Sequence, residues 1–137
     1  MGRIMAIDYG GKRTGIAITD PMRIIASGLT TVPTGELLGF IRKYCAKEEV
    51  DILVVGEPKR LHNEPSDIEK DIAKFLKKLN KEIPALEVAR VDERYTSKMA
   101  SQALVDSGLG KKKRRNKELL DEVSATIILQ SYMDIAR

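Results

Sequence analysis

RIMAIDYGGKRTGIAIT, residues Arg3 to Thr19, decides how this chain folds. Arg3–Asp8 and Thr14–Thr19 are short apolar segments. Between them lies Tyr9-Gly10-Gly11-Lys12-Arg13, a glycine-bearing turn of hairpin length. The pattern predicts two paired antiparallel strands. A third segment, Ala26–Val32, is rich in Thr and Val and ends at Pro33, whose missing N–H cannot continue a ladder. It reads as an edge strand.

Beyond the hairpin the period changes. Thr34 offers an N-cap, Glu36 falls in the first turn, and Leu37, Leu38, Ile41, Tyr44 and Cys45 recur at helical spacing up to about Glu49. Asp51–Gly56 (DILVVG) is a continuous β-branched run, as in a parallel strand covered on both faces. Ser66 caps a helix carrying Ile68, Ile72, Phe75, Leu76 and Leu79, with Pro84 just beyond its end. Leu86–Val91 supplies a fifth strand. Thr96 or Ser97 opens a helix that Gly108 terminates. Asn116 caps a last helix whose apolar stripe is Leu120, Val123, Ser124, Ile127, Ile128 and Tyr132. The order β-β-β-α-β-α-β-α-α, with right-handed crossovers, predicts an α/β fold with a mixed sheet and helices on both faces.

A length of 137 residues suits one domain over 1–137, large enough to bury about two-thirds of the unfolded chain's surface. Two-lobed kinases and synthetases are excluded. The longest uncharged stretch, Ile24 to Gly35, has 12 residues, short of the ~18 apolar residues of a membrane span. An acid at Asp8 and a lone Cys45 argue against export and a disulfide framework, so a reducing cytoplasm is the expected location. One His, His62, and one Cys cannot build a soft metal cage. Any bound metal is therefore a hard cation held by carboxylates. The 24 basic and 20 acidic side chains give +4, and six of the positive charges fall in Lys111–Lys117 (KKKRRNK). Such a cluster is a footprint for a polyanion, although a solvated loop uses the same residues.

The acids carry the chemistry. Asp8 ends the first strand at the lip of the turn, where Asp also occurs simply as a turn former. Ligand sites of α/β sheets lie at the carboxyl ends of strands, and two further strands end in acids, at Glu57 and at Asp92-Glu93. Asp121, beside the apolar stripe of the last helix, can reach the same edge. Carboxylates gathered this closely repel one another unless a divalent cation neutralises them. Two hard cations bridged by one Asp can activate a water and stabilise the leaving oxygen of a phosphodiester. Gly10-Gly11-Lys12-Arg13-Thr14 is not a Walker A loop, because Ala6 and Arg13 stand where Gly and Ser or Thr are required. Lys12 and Arg13 are instead candidate phosphate contacts, against an ordinary solvated role.

The strings IDYGGKRTGIAITD, VVGEP, VDERYTS and NKELLDEVSATIILQSY together resemble the YqgF/RuvX-like family, described as Holliday-junction-resolvase-like proteins and pre-16S rRNA nucleases. The resemblance covers nearly the whole chain in order. It implies a ribonuclease H-like fold, a five-stranded mixed sheet with the second strand antiparallel. The family's first-strand Asp falls on Asp8, its D-E-R acid on Asp92 or Glu93, and its last-helix acid on Asp121. The set so implied is Asp8, Glu93 and Asp121, as catalytic residues and as ligands of one or two Mg²⁺ or Mn²⁺ ions. Asp92 and Glu57 are additional candidates. Many members carry an apolar residue at the place of Glu57, which is therefore either an added ligand or a loop acid.

Three classes of function compete. The leading one is a metal-dependent endonuclease acting in 5′-end processing of pre-16S ribosomal RNA, with Holliday junction resolution on four-way DNA as its alternative. In it, Lys12, Arg13, Lys111, Lys112, Lys113, Arg114, Arg115 and Lys117 hold nucleic-acid phosphates. The second is a non-catalytic RNA- or ribosome-binding adaptor, against which the clustered carboxylates argue. The third, a phosphate-binding turn like that of actin-like ATPases, needs two such domains. A monomer or weak homodimer is expected, with no membrane partner. Sparse aromatics disfavour an extended stacking platform, although Tyr9 and Tyr95 could each stack one base.

Overall fold

The computed structural model describes residues 2–58, 67–92 and 117–136. In chain order these form β1 (Arg3–Asp8), β2 (Arg13–Thr19), β3 (Ala26–Pro33), a 3-10 turn (Thr34–Glu36), α1 (Leu37–Lys47), β4 (Val50–Glu57), α2 (Ile68–Glu82), β5 (Glu87–Asp92) and α3 (Lys117–Ala136). The sheet order is β3-β2-β1-β4-β5. β2 runs antiparallel to both β1 and β3, and β1, β4 and β5 run parallel. The predicted hairpin, edge strand and crossover strands are all present, and so is the five-stranded mixed sheet that the resemblance implies. The helix expected between Thr96 and Gly108 lies outside the described residues, as do the caps Ser66 and Asn116.

Strand alternation splits the core into two layers. Met5, Ile7, Ile16, Ile18, Leu53 and Val55 pack under α1 and α2 with Leu37, Ile41, Ile72, Phe75 and Leu79. Ile4, Ala6, Ala17, Ile52, Val54 and Val91 pack against α3 through Ala125, Ile128, Leu129 and Met133. Helices therefore cover both faces, which is why the central parallel strands β1 and β4 are apolar at successive positions. Among the described residues no helix is long and apolar enough to cross a membrane.

Two local expectations are corrected. Thr34 does not cap α1: its hydroxyl donates to the Gly10 carbonyl at 2.6 Å and lies 3.0 Å from the Thr14 hydroxyl, while its N–H donates to the Lys12 carbonyl at 3.0 Å. A side chain that ties down the hairpin turn is no longer available to a helix end. The helix proper starts at Leu37 and stops at Lys47. The stripe of α3 is also rotated from the predicted one. Ser124, Ala125, Ile128, Leu129 and Met133 are buried, while Val123 and Ile127 are only partly covered. Val and Ile suggest core on composition, but the small Ala125 and Ser124 let the helix approach the sheet.

Candidate active site

The carboxyl ends of β1, β4 and β5 lie side by side, because Ile7 is in register with Val55 and Glu57 with Asp92. Asp8, Glu57 and Asp92 thus share one sheet edge. Alternation then divides them. Asp8 continues the face of Ile4 and Ala6, toward α3, whereas Glu57 has the parity of Leu53 and Val55 and Asp92 that of Arg90. Asp8 and Glu57 are half-buried and Asp92 is exposed. Glu93 lies outside the described residues.

Asp121 joins Asp8 through a glycine. Asp8 is the register partner of Gly15 on β2. A Cβ added to Gly15 would collide with the Asp121 carbonyl group. No other residue lets the first turns of α3 settle on the sheet at this depth. Asp121 also continues the buried line of Ser124, Ala125 and Ile128, three and four residues apart, so it occupies a core-facing helical position with a carboxylate. An acid there is costly unless it is paired.

Its partner is Arg13, whose Nε donates to Asp121 Oδ2 at 2.5 Å, with both side chains largely covered. Arg13, expected to face a phosphate, is thus engaged within the site. Gly10, Gly11, Lys12, Arg13 and Asp121 line a depression of about 350 Å³. Lys12 is exposed at its rim. Among the described residues no three His, Cys, Asp or Glu side chains converge to hold a metal ion. The described carboxylates are hard oxygen donors, of the kind that suits a divalent cation.

On the other face, Arg90 is a residue that sequence reasoning missed. It forks onto Glu69 at 2.7 and 3.0 Å and donates to the carbonyls of Val55 and Gly56 at 3.2 and 3.1 Å. It thereby ties the start of α2 to the ends of β4 and β5 beside Glu57 and Asp92. Its only sequence signal is a charge between the apolar pair Val88-Ala89 and Val91. Tyr9, next to Asp8, leans on Phe75 with ring centroids 5.6 Å apart. Burial, and secondarily the charge of Asp71, pushes its phenol above the usual tyrosine value. Lys111, Lys112, Lys113, Arg114, Arg115, His62 and Tyr95 lie outside the described residues, as does the side chain of Lys117.

Comparison with known proteins agrees with this architecture. The family described as "RuvX: Holliday junction resolvase" matches residues 2–135. A protein of Phocaeicola vulgatus named "Putative pre-16S rRNA nuclease" is 57% identical over 134 residues, covering 98% of this chain and 96% of its own. A protein of the same name from Flavobacterium johnsoniae is 54% identical over 137 residues, covering 100% and 99%. Among solved structures, T. thermophilus RuvC in complex with a Holliday junction substrate is similar with a TM-score of 0.64 at 16% identity, covering 99% of this chain and 97% of that one. At that identity the likeness shows the ribonuclease H-like fold.

Proposed function

This chain belongs to the RuvX family, and on that premise we propose that it is a single-domain, metal-dependent endonuclease that hydrolyses phosphodiester bonds in the 5′-end processing of pre-16S ribosomal RNA. The observation that carries the site reading is the Gly15 contact, which joins the end of β1 to the start of α3 and so relates Asp8 to Asp121. Asp8, Asp121 and Glu93 would hold one or two Mg²⁺ or Mn²⁺ ions, which when bound activate water and stabilise the leaving oxygen. Asp92 is set aside on parity, because it carries the even-numbered phase of Arg90 and not that of Ala89 and Val91, which pack toward α3. Glu57 shares the parity of the opposite layer and serves as a neighbouring acid, not a ligand.

The protein's own groups do the positioning. Arg13 pairs with the Asp121 carboxylate and holds it at the turn. Arg13, on the turn beside Asp121, would also be within the site to meet a substrate phosphate. Lys12 at the rim and the Lys111–Lys117 cluster add phosphate contacts that position the strand without reading its bases.

Cleavage of end-labelled precursor ribosomal RNA and of a four-way DNA junction, each with Mg²⁺ or Mn²⁺, tests this. RNA-selective cuts that fall at least about 100-fold in Asp8→Asn, a loss of roughly 2.7 kcal/mol of transition-state stabilisation, support the processing nuclease. Symmetric, Asp8-dependent junction cuts would make it a resolvase, the activity in the family's name. Absence of cutting above the Asp8→Asn control on both substrates overturns the nuclease and leaves the binding adaptor.

A further inference from the structure

A second cleft lies across the hairpin turn from Asp121. It has a volume of about 390 Å³, and Tyr9, Thr34, Gly35, Asp71, Lys74 and Lys78 contribute to its lining. From it, Lys74, Lys77, Lys78 and Lys81 descend the exposed side of α2 and line a further hollow together. Lys74 to Lys81 covers about 10 Å of helix. The helix also carries acids that would ordinarily neutralise such a row. One of them is engaged elsewhere: Glu82, four residues after Lys78, pairs with Arg42 at 2.5 Å. Among the described residues no carboxylate pairs with the four lysines, and Asp71 is the one acid at the cleft.

A row of four exposed ammonium groups with no ion pair among the described residues is suited to a polyanion. Its upper end adjoins Tyr9, the residue after Asp8. We propose that the cleft and the α2 lysines form a second phosphate-binding track, which holds the single strand flanking the cleavage position on the face of the sheet opposite α3. The track rests on the nuclease reading for its orientation, since it starts at the candidate cleavage edge. Lys74 and Lys78 contact the sugar-phosphate backbone, and the ring of Tyr9 walls the cleft.

The test is fluorescence anisotropy of an end-labelled 20-nucleotide single-stranded RNA with the full chain, in EDTA and over a range of salt. Lys74→Glu/Lys78→Glu is compared with the charge-matched pair Lys43→Glu/Lys47→Glu on α1, with folding checked by circular dichroism. The first pair should weaken binding at least tenfold at low salt. It should also reduce the log–log salt slope by about 1.4, at roughly 0.7 for each phosphate that is no longer neutralised. The α1 pair should change affinity less than about threefold. If the Glu variant does not fold, Lys74→Gln/Lys78→Gln is measured in its place. Equal losses in the two pairs, an unchanged slope, or no RNA binding by the parent protein each overturn the track. Because the readout is metal-free, the two readings separate. Binding lost in the α2 variant of a protein that cuts nothing keeps the track and removes the nuclease. Cleavage by a protein whose α2 variants bind normally does the reverse.

Discussion

Arg13 and Asp121 are separated by 108 positions and meet at 2.5 Å. A guanidinium on a candidate metal ligand competes with the metal for the same oxygens. Arg13→Gln should therefore lower the Mn²⁺ concentration needed for half-maximal cleavage, while unfolding in urea shows a loss of no more than about 1 kcal/mol, as for partly exposed ion pairs. An unchanged or raised metal requirement would show that Arg13 does not contend for Asp121. At the other end of β2, Asp20 accepts backbone N–H bonds from Ile24 and Ile25 at 2.8 Å and from Met22 at 3.2 Å. Those bonds, the one from Ile25 foremost, hold its carboxyl below the usual value of 3.8. A carboxyl depressed in the folded state stabilises fully above its unfolded pKa, and that contribution disappears as pH falls through the folded one. The difference in unfolding free energy between the parent protein and Asp20→Ala should hence be constant near neutrality and shrink below about pH 4. A difference that grows toward acid would contradict the turn's role.

At the scale of elements, the relation of α3 to β2 decides the site. Gly15 Cα faces the Asp121 backbone so closely that Gly15→Ala must push the helix away, at a cost of about 1–3 kcal/mol by analogy with overpacked cores. Denaturant unfolding measures the cost. If the close approach aligns Asp8 with Asp121, cleavage should fall further than the stability loss explains under conditions where the variant is folded. The helices themselves were legible as periods, and for α1 and α2 so was the phase, since Leu37, Ile41, Ile72, Phe75 and Leu79 are buried as expected; the phase of α3 was legible only in part. On α3, Val123 and Ile127 look like core but are only partly covered, whereas Ala125 and Leu129 are buried, and the small Ser124 and Ala125 let the helix approach the sheet closely. Thr34 was legible as a hydroxyl before a helix, and the competing carbonyl of Gly10 came from a turn 24 positions away.

The whole molecule is electrically lopsided. Six of its positive charges lie in Lys111–Lys117, and without them the net charge changes from +4 to −2. If that segment holds phosphates, replacing Lys112, Lys113 and Arg114 with Gln should reduce the log–log salt slope of RNA binding by about 2–3, at roughly 0.7–0.9 for each phosphate released. An unchanged slope removes the segment from the interface. The order of elements along the chain, the antiparallel hairpin and the acids at three strand ends could all be read from the chain, because hairpin spacing, continuous β-branched runs and strand termini are local patterns. The resemblance carried by IDYGG, VDER and the last helix named the family for the same reason: a motif is a local string. Pairings between distant residues had no such signal. The Arg13–Asp121 bridge, the Arg90–Glu69 fork, the Arg42–Glu82 pair that draws Glu82 from Lys78, and the opposite parity of Asp8 and Glu57 all depend on sheet register and helix phase. Those are set only when the two faces of the sheet compete for burial, so the tertiary structure alone decided which charges meet.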